Sequence, residues 1–344
     1  MTRNPLGRSI VFIMAFMVFA VACNNLPGRV GSLPGQGTTV RMGQATWDTG
    51  LFQAQIFKAL LEELGYEVKA PETVDTIAFY FFSAQRDLDF WANGWFPLHD
   101  RYLEFEDVAG KIQPVGFQVA KGALQGYMVD KATADKLGIT NLADLQDPEF
   151  AAVFDDDGDG KADLIGCNVG WGCEQVIDTQ LDALELRDTV THVQGDYSQL
   201  MQDTLARYQQ GQPVLFYTWT PNWTVSAMAP GEDVMWLGVP SSSPADRDTE
   251  VASIPGCLED PCNMGFEPSD IRVVANSQFL AENPSAATLF ELVKIPLADI
   301  ANQNIRMSAG ENSEEDIRLH AEAWIDANRE QVDLWLEAAR LATQ

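Results

Sequence analysis

From Thr38 onward the chain alternates short apolar runs with apolar stripes at helical spacing. TTVRMG reads as a strand. Phe52, Ile56, Leu60 and Leu64 then recur every fourth residue, which puts them on one helix face, and Gly65 follows as a stop at C′. YEVKA is a second strand, so the opening predicts an α/β lobe with a largely parallel sheet. LDFWANGW suggests a strand running into a loop, and GYMVDK a crossover strand. TNLADLQDPEFAAVF and CEQVIDTQLDALEL read as helices of a second lobe. PVLFYTW and VMWLGVP are apolar strands, and IRVVAN returns the chain before a helical C-terminus. Ser313 with Asp316 three residues on is a capping-box variant. The face of Ile317, Trp324, Ile325, Val332, Trp335 and Leu336 places both tryptophans in the core or in lobe packing.

Before this pattern begins, the chain looks like an export signal. Arg3 and Arg8 precede an uncharged apolar run from Ile10 to Ala22, whose 13 residues are too few to span a bilayer. The run ends in Ala20-Val21-Ala22-Cys23, a small-residue site before a cysteine. It resembles a bacterial lipobox, with Ala20 where Leu is usual; ordinary signal cleavage nearby is the alternative. Residues 1–22 are the expected signal. Residues 23–38, rich in Gly and Pro without an apolar period, are the expected tether.

The five cysteines fit an oxidising compartment. Cys167 and Cys173 are neighbours, as are Cys257 and Cys262, and Cys23 is left for lipidation. Neither pair has CxxC spacing, and only three histidines are present, which argues against zinc. With 50 acids against 22 bases the net charge is −28, so nucleic acid and anionic lipid surfaces are not expected partners.

Candidate chemistry lies in three tryptophans set among Gly and Pro: Trp95 in NGWFPLHD, Trp171 in GCNVGWGCE and Trp219 in FYTWTPNW. Loops on a rigid scaffold carry binding residues. Several ring faces converging on one point suit a quaternary ammonium group, which has no N–H to donate and is read through shape and the ring quadrupoles. Trp223 is placed at a cleft rim or inside, and Trp47, Trp91 and Trp236 have weaker claims. A lone histidine is more often a satisfied surface or core residue, and His192 and His320 are read so.

The segments NGWFPLHD, GALQGYMVDK, GDGKADLIGCNVGWGCE, YTWTPNW and PLADIANQN resemble the substrate-binding component of the glycine betaine/proline betaine ABC transporter, from about residue 39 to the C-terminus. The resemblance implies the two-lobed periplasmic binding protein fold of the second type, with the ligand between lobes joined by two crossovers. Lobe I is then 39–125 with 267–344, and lobe II is 126–266. It implies an ammonium box of Trp95 from the first lobe and Trp171 and Trp219 from the second. The carboxylate contacts it implies are His99 and the backbone amides of Gly172 and Cys173. CLEDPC adds a cysteine pair that some members lack. Gly172 and Cys173 stand where a helix should start, and free N–H groups and the positive dipole end suit an anion there. A Cys167–Cys173 bridge would fix Trp171 and its neighbouring amides, or serve as a plain staple.

DDDGDGKAD copies calcium-loop spacing with Asp155, Asp157, Asp159, Gly160 and Asp163, but Gly166 stands where the bidentate Glu belongs. It is either a calcium site or a hydrated acidic turn, and no other cofactor is expected. The leading function is a monomeric, exported solute-binding protein, lipid-anchored at Cys23, that hands a betaine to an ABC permease and its ATPase. The alternative is a hydrolase of choline esters. The chain has no GxSxG, HExxH or P-loop, so no enzyme is expected.

Overall fold

The computed structural model describes residues 32–240 and 248–342. Its main element is a nine-stranded sheet. The strands are β1 (Met42–Gln44), β2 (Glu72–Thr73), β3 (Phe90–Phe96), β4 (Ile112–Asp130), β5 (Ala162–Ile165), β6 (Val190–Val193), β7 (Leu215–Thr220), β8 (Val234–Leu237) and β9 (Ser269–Asn276). They lie in the order β2-β1-β3-β9-β4-β7-β5-β6, with β8 also on β4.

The 19-residue β4 joins two halves. Its residues from Ile112 to Ala123 pair with β9, and those from Leu124 to Val129 pair with β7. The first half is parallel at β2-β1-β3, and the second at β7-β5-β6. Around β4 and β9 every pairing is antiparallel. The expected largely parallel sheet is therefore a mixed one. The strand that carries the chain across and the strand that brings it back both run against their neighbours.

Helix α1 (Asp48–Glu63) forms where the apolar stripe places it. Phe52, Ile56 and Leu60 are buried, and Gly65 ends it at φ +92°. It packs on the helices Leu297–Ser308 and Glu314–Ala327. Trp324 meets Phe52 edge-on at 6.4 Å and Trp335 is buried, as expected of core packing. The Ser313–Asp316 capping box is present.

Two segments depart from expectation. Residues 140–154 form short turns of helix at Leu142–Gln146, Pro148–Ala151 and Ala152–Phe154, not one helix. Asp147 precedes a proline and is extended at φ −74°, ψ 115°, because the ring disfavours helical backbone there. Order also begins before Thr39. Gly35 is buried and its N–H donates to Leu64 O at 2.9 Å, so the last residues of the expected tether belong to the body. Cys23 and the signal lie outside the described residues. No helix among the described residues is long and apolar enough to cross a membrane.

Candidate ligand site

Each of the three tryptophans is carried by a different element. Trp95 is near the end of β3, whose seven residues are all buried. Trp171 is the N-cap of helix α2 (Gly172–Ala183), with extended backbone. Trp219 lies on β7. All three line one cavity with His99, Gly172 and Cys173, so the structure brings every expected ligand contact together. Trp171 and Trp219 stand 5.6 Å apart at 79°, a corner of two ring faces. Tyr197, which begins helix α3 (Tyr197–Gln209), backs this corner at 4.7 Å from Trp219.

Trp47 is a fourth wall, underrated from the sequence. Its ring is 5.5 Å from Trp171 at 72°. One carbonyl oxygen, Oδ1 of Asn93, accepts from Trp47 Nε1 at 2.7 Å and from Trp95 Nε1 at 2.9 Å. Asn93 is buried and so orients two indoles at once. Two signals pointed there. Trp47 sits in the turn-forming ATWDTG, and Asn93 shares the face of Trp95 at period two on an otherwise apolar strand. Gln125, Leu98 and Tyr217 also line the cavity and were not singled out. Trp223 is buried and packs inside, and its backbone N–H donates to Asn304 Oδ1 at 2.6 Å. Trp91 lies behind Trp47, and Trp236 is in β8.

The donors gather on one side. His99 is buried, and its Nδ1 accepts the backbone N–H of Trp95 at 3.3 Å, which leaves Nε2 to carry the proton. Burial, and then the nearby Arg101 charge, lowers its pKa to about 3, so the ring is neutral. The first turn of α2 lies against it. A Cβ on Gly172 would come within 2.9 Å of Leu98 and 3.3 Å of the His99 ring, so a side chain there would push on both. Gly170 is needed for a different reason, its φ of +86°. Among the described residues the amides of Gly172 and Cys173 have no acceptor, as expected of a helix N-terminus. Glu174 in the same turn is directed back to the Gly170 N–H at 2.7 Å.

Cys167 pairs with Cys173, Cα atoms 6.2 Å apart, and Cys257 with Cys262 at 6.1 Å. The first bridge pins the residue that carries a lining amide. No lining residue bears a formal charge at neutral pH.

In the acidic loop, carboxylate oxygens of Asp155, Asp157 and Asp159 lie within 4.8 Å of one another. Asp163 is not with them. Its Oδ2 accepts the N–H groups of Asp156 at 2.8 Å and Asp157 at 3.3 Å, so its carboxylate serves the loop's backbone.

A two-lobed α/β fold with an uncharged aromatic cavity between its halves defines a solute-binding protein. A family model for the substrate-binding domain of ABC-type glycine betaine transport systems matches residues 38–327. The glycine betaine-binding periplasmic protein OusX of Dickeya dadantii (strain 3937) is 46% identical over 313 residues, 91% of this chain and 93% of that protein. The glycine betaine/proline betaine-binding periplasmic protein of Escherichia coli (strain K12) is 45% identical over 311 residues, 90% and 92% of the two chains. The crystal structure of the glycine betaine, L-proline ABC transporter binding protein (ProX) from Borrelia burgdorferi shares the fold. Its TM-score is 0.69 at 17% identity, over 89% of this chain and 100% of that one.

The chain belongs to the family of substrate-binding proteins of ABC-type glycine betaine transport. It is a binding protein, not an enzyme, which removes the choline-ester hydrolase reading.

Proposed function

We propose that this protein captures glycine betaine, or a related zwitterionic quaternary-ammonium osmolyte, outside the cytoplasm and delivers it to an ABC permease and its ATPase for osmoprotective uptake. The observation that carries this reading is the lining of the cavity. It combines the indoles of Trp47, Trp95, Trp171 and Trp219 with His99 and the helix-start residues Gly172 and Cys173. Burying an unpaired charge is costly, and this cavity has no carboxylate to balance a cation. A ligand that brings its own anion is neutral overall and uses both the rings and the N–H donors of the lining. The ammonium takes the rings, and the carboxylate takes the donors at the α2 N-terminus. The ligand would lie between lobe I (39–125 with 267–344) and lobe II (126–266), in a monomer.

A melting panel tests the reading, because a ligand that binds only the folded state raises the melting temperature. Glycine betaine and proline betaine are expected to raise it more than choline at equal concentration. No shift with either betaine would remove the proposal. The same panel takes millimolar calcium after chelation. Three carboxylates without a closing bidentate Glu fit a weak calcium site at most. A rise with calcium that Asp157→Asn abolishes is the outcome for a bound ion, and no rise leaves a hydrated turn.

The anchor is part of the same proposal. Cys23 follows a short apolar run and a small-residue site, so it is expected to carry a diacylglyceryl group in the mature protein. Mass spectrometry of protein from the membrane fraction reads this directly. A free mature form beginning at another residue would sink it.

A further inference from the structure

The residues that open α1 stand on the half of the sheet that carries Trp95, yet their side chains reach the other half. Trp171 Nε1 donates to Thr46 Oγ1 at 2.7 Å. Trp219 Nε1 donates to Thr49 Oγ1 at 3.3 Å. Between these, Ser198 Oγ of α3 donates to Asp48 Oδ2 at 2.9 Å. Trp47, in the same stretch, supplies the ring set edge-on to Trp171. Thus the two cage tryptophans of the second half find their indole acceptors only on the first half among the described residues.

We infer that Thr46, Asp48 and Thr49 are affinity-determining residues, a latch that holds the two lobes together: Thr46 and Thr49 accept the indole N–H groups of Trp171 and Trp219, and Asp48 accepts the Ser198 hydroxyl. This rests on the proposed betaine function and deepens it. The same bonds that set the ring faces around an ammonium group also hold the lobes closed. In an open cleft both indole N–H groups turn to water. If an acceptor is removed, the open state keeps that water, whereas the closed state buries an unpaired donor. The penalty therefore falls on the ligand-holding state alone. A residue that merely supports its own lobe would weaken the empty protein as well.

The experiment uses the full mature chain with Thr46→Val and Thr49→Val, singly and together, and with Thr→Ser at both positions as the conservative control. The melting temperature of empty protein, the betaine dissociation constant and the release rate by tryptophan fluorescence are measured. The latch predicts an unchanged melting temperature without ligand. It predicts affinity weakened roughly tenfold per lost acceptor, mostly through faster release, and serine variants close to wild type. A valine pair that binds like wild type overturns it, as does a loss of empty-protein stability that accounts for the whole effect. Should wild type bind no betaine, the functional reading fails on its own. The latch is then decided by an Asp48→Cys, Ser198→Cys pair, which oxidises to an interlobe disulfide if these positions meet. Peptide mapping that finds no such cross-link overturns the latch whatever the ligand.

Discussion

Trp171→Ala is expected to weaken glycine betaine binding by tenfold or more, with Trp171→Phe and Trp171→Tyr clearly milder. The indole has rings at 5.5 Å (Trp47), 5.6 Å (Trp219) and 5.8 Å (Tyr197), so it is the common wall of the cage. A desolvated cation over an aromatic face is stabilised by roughly 0.5–2 kcal/mol, and 1.4 kcal/mol is about one decade of affinity. Alanine removes the quadrupole and also admits water to the remaining faces, which lowers what each of them contributes. A smaller ring keeps part of the attraction and the exclusion. For the same reason, losing Trp171 together with Trp95 or Trp219 should exceed the sum of the single losses, since neighbouring contacts couple. Calorimetry on variants whose circular dichroism matches wild type measures all of these. A folded Trp171→Ala protein with unimpaired betaine binding would place the ligand elsewhere.

Much of this site was legible because its elements are marked by residues that can do little else. Gly170 and Gly172 flank Trp171, and the second glycine lets the backbone lie close against Leu98 and His99. The Cys167–Cys173 spacing announced a local bridge. The apolar stripe of α1 and the runs of β3, β7 and β9 gave their elements because burial on one or both faces leaves a period or a continuous apolar run. What escaped has weaker marks. The strands β5 and β6 are four residues each, and α3 mixes polar residues into YSQLMQDTLARYQ. Trp47 stands immediately before an amphipathic helix, where its role depends on where the second half of the sheet puts Trp171. Pairing across lobes is a property of tertiary placement, and no local period encodes it. The mixed sheet escaped similarly, because the direction of β9 against β3 and β4 follows from a return crossover more than 130 residues after β4.

The companion expectation concerns the anion. His99→Ala should lower betaine affinity by roughly tenfold to a hundredfold, the range for losing one hydrogen bond to a charged group, and should leave choline binding little changed because choline has no carboxylate. The ring's charge state sharpens this. His99 is held neutral, its pKa lowered to about 3 by burial and then by Arg101, and its Nδ1 is already used by the Trp95 N–H. It therefore meets the carboxylate as a neutral Nε2–H donor. Betaine affinity should then be nearly flat from about pH 8 to about pH 5, whereas a donor that had to gain a proton would tighten binding by roughly tenfold per unit of acidification over that range. Stability should behave differently. Between the ordinary histidine value near 6.5 and the folded value near 3, the unfolded chain takes up a proton that the folded chain refuses. This residue therefore favours unfolding progressively as the pH falls through that window. His99→Ala removes that contribution, so its melting temperature should fall less on acidification than that of wild type. Calorimetry with both ligands across the pH range, with melting curves beside it, checks both halves. Betaine binding that strengthens steeply toward acid would mean that the histidine binds its anion as a cation and that the neutral-donor account is wrong.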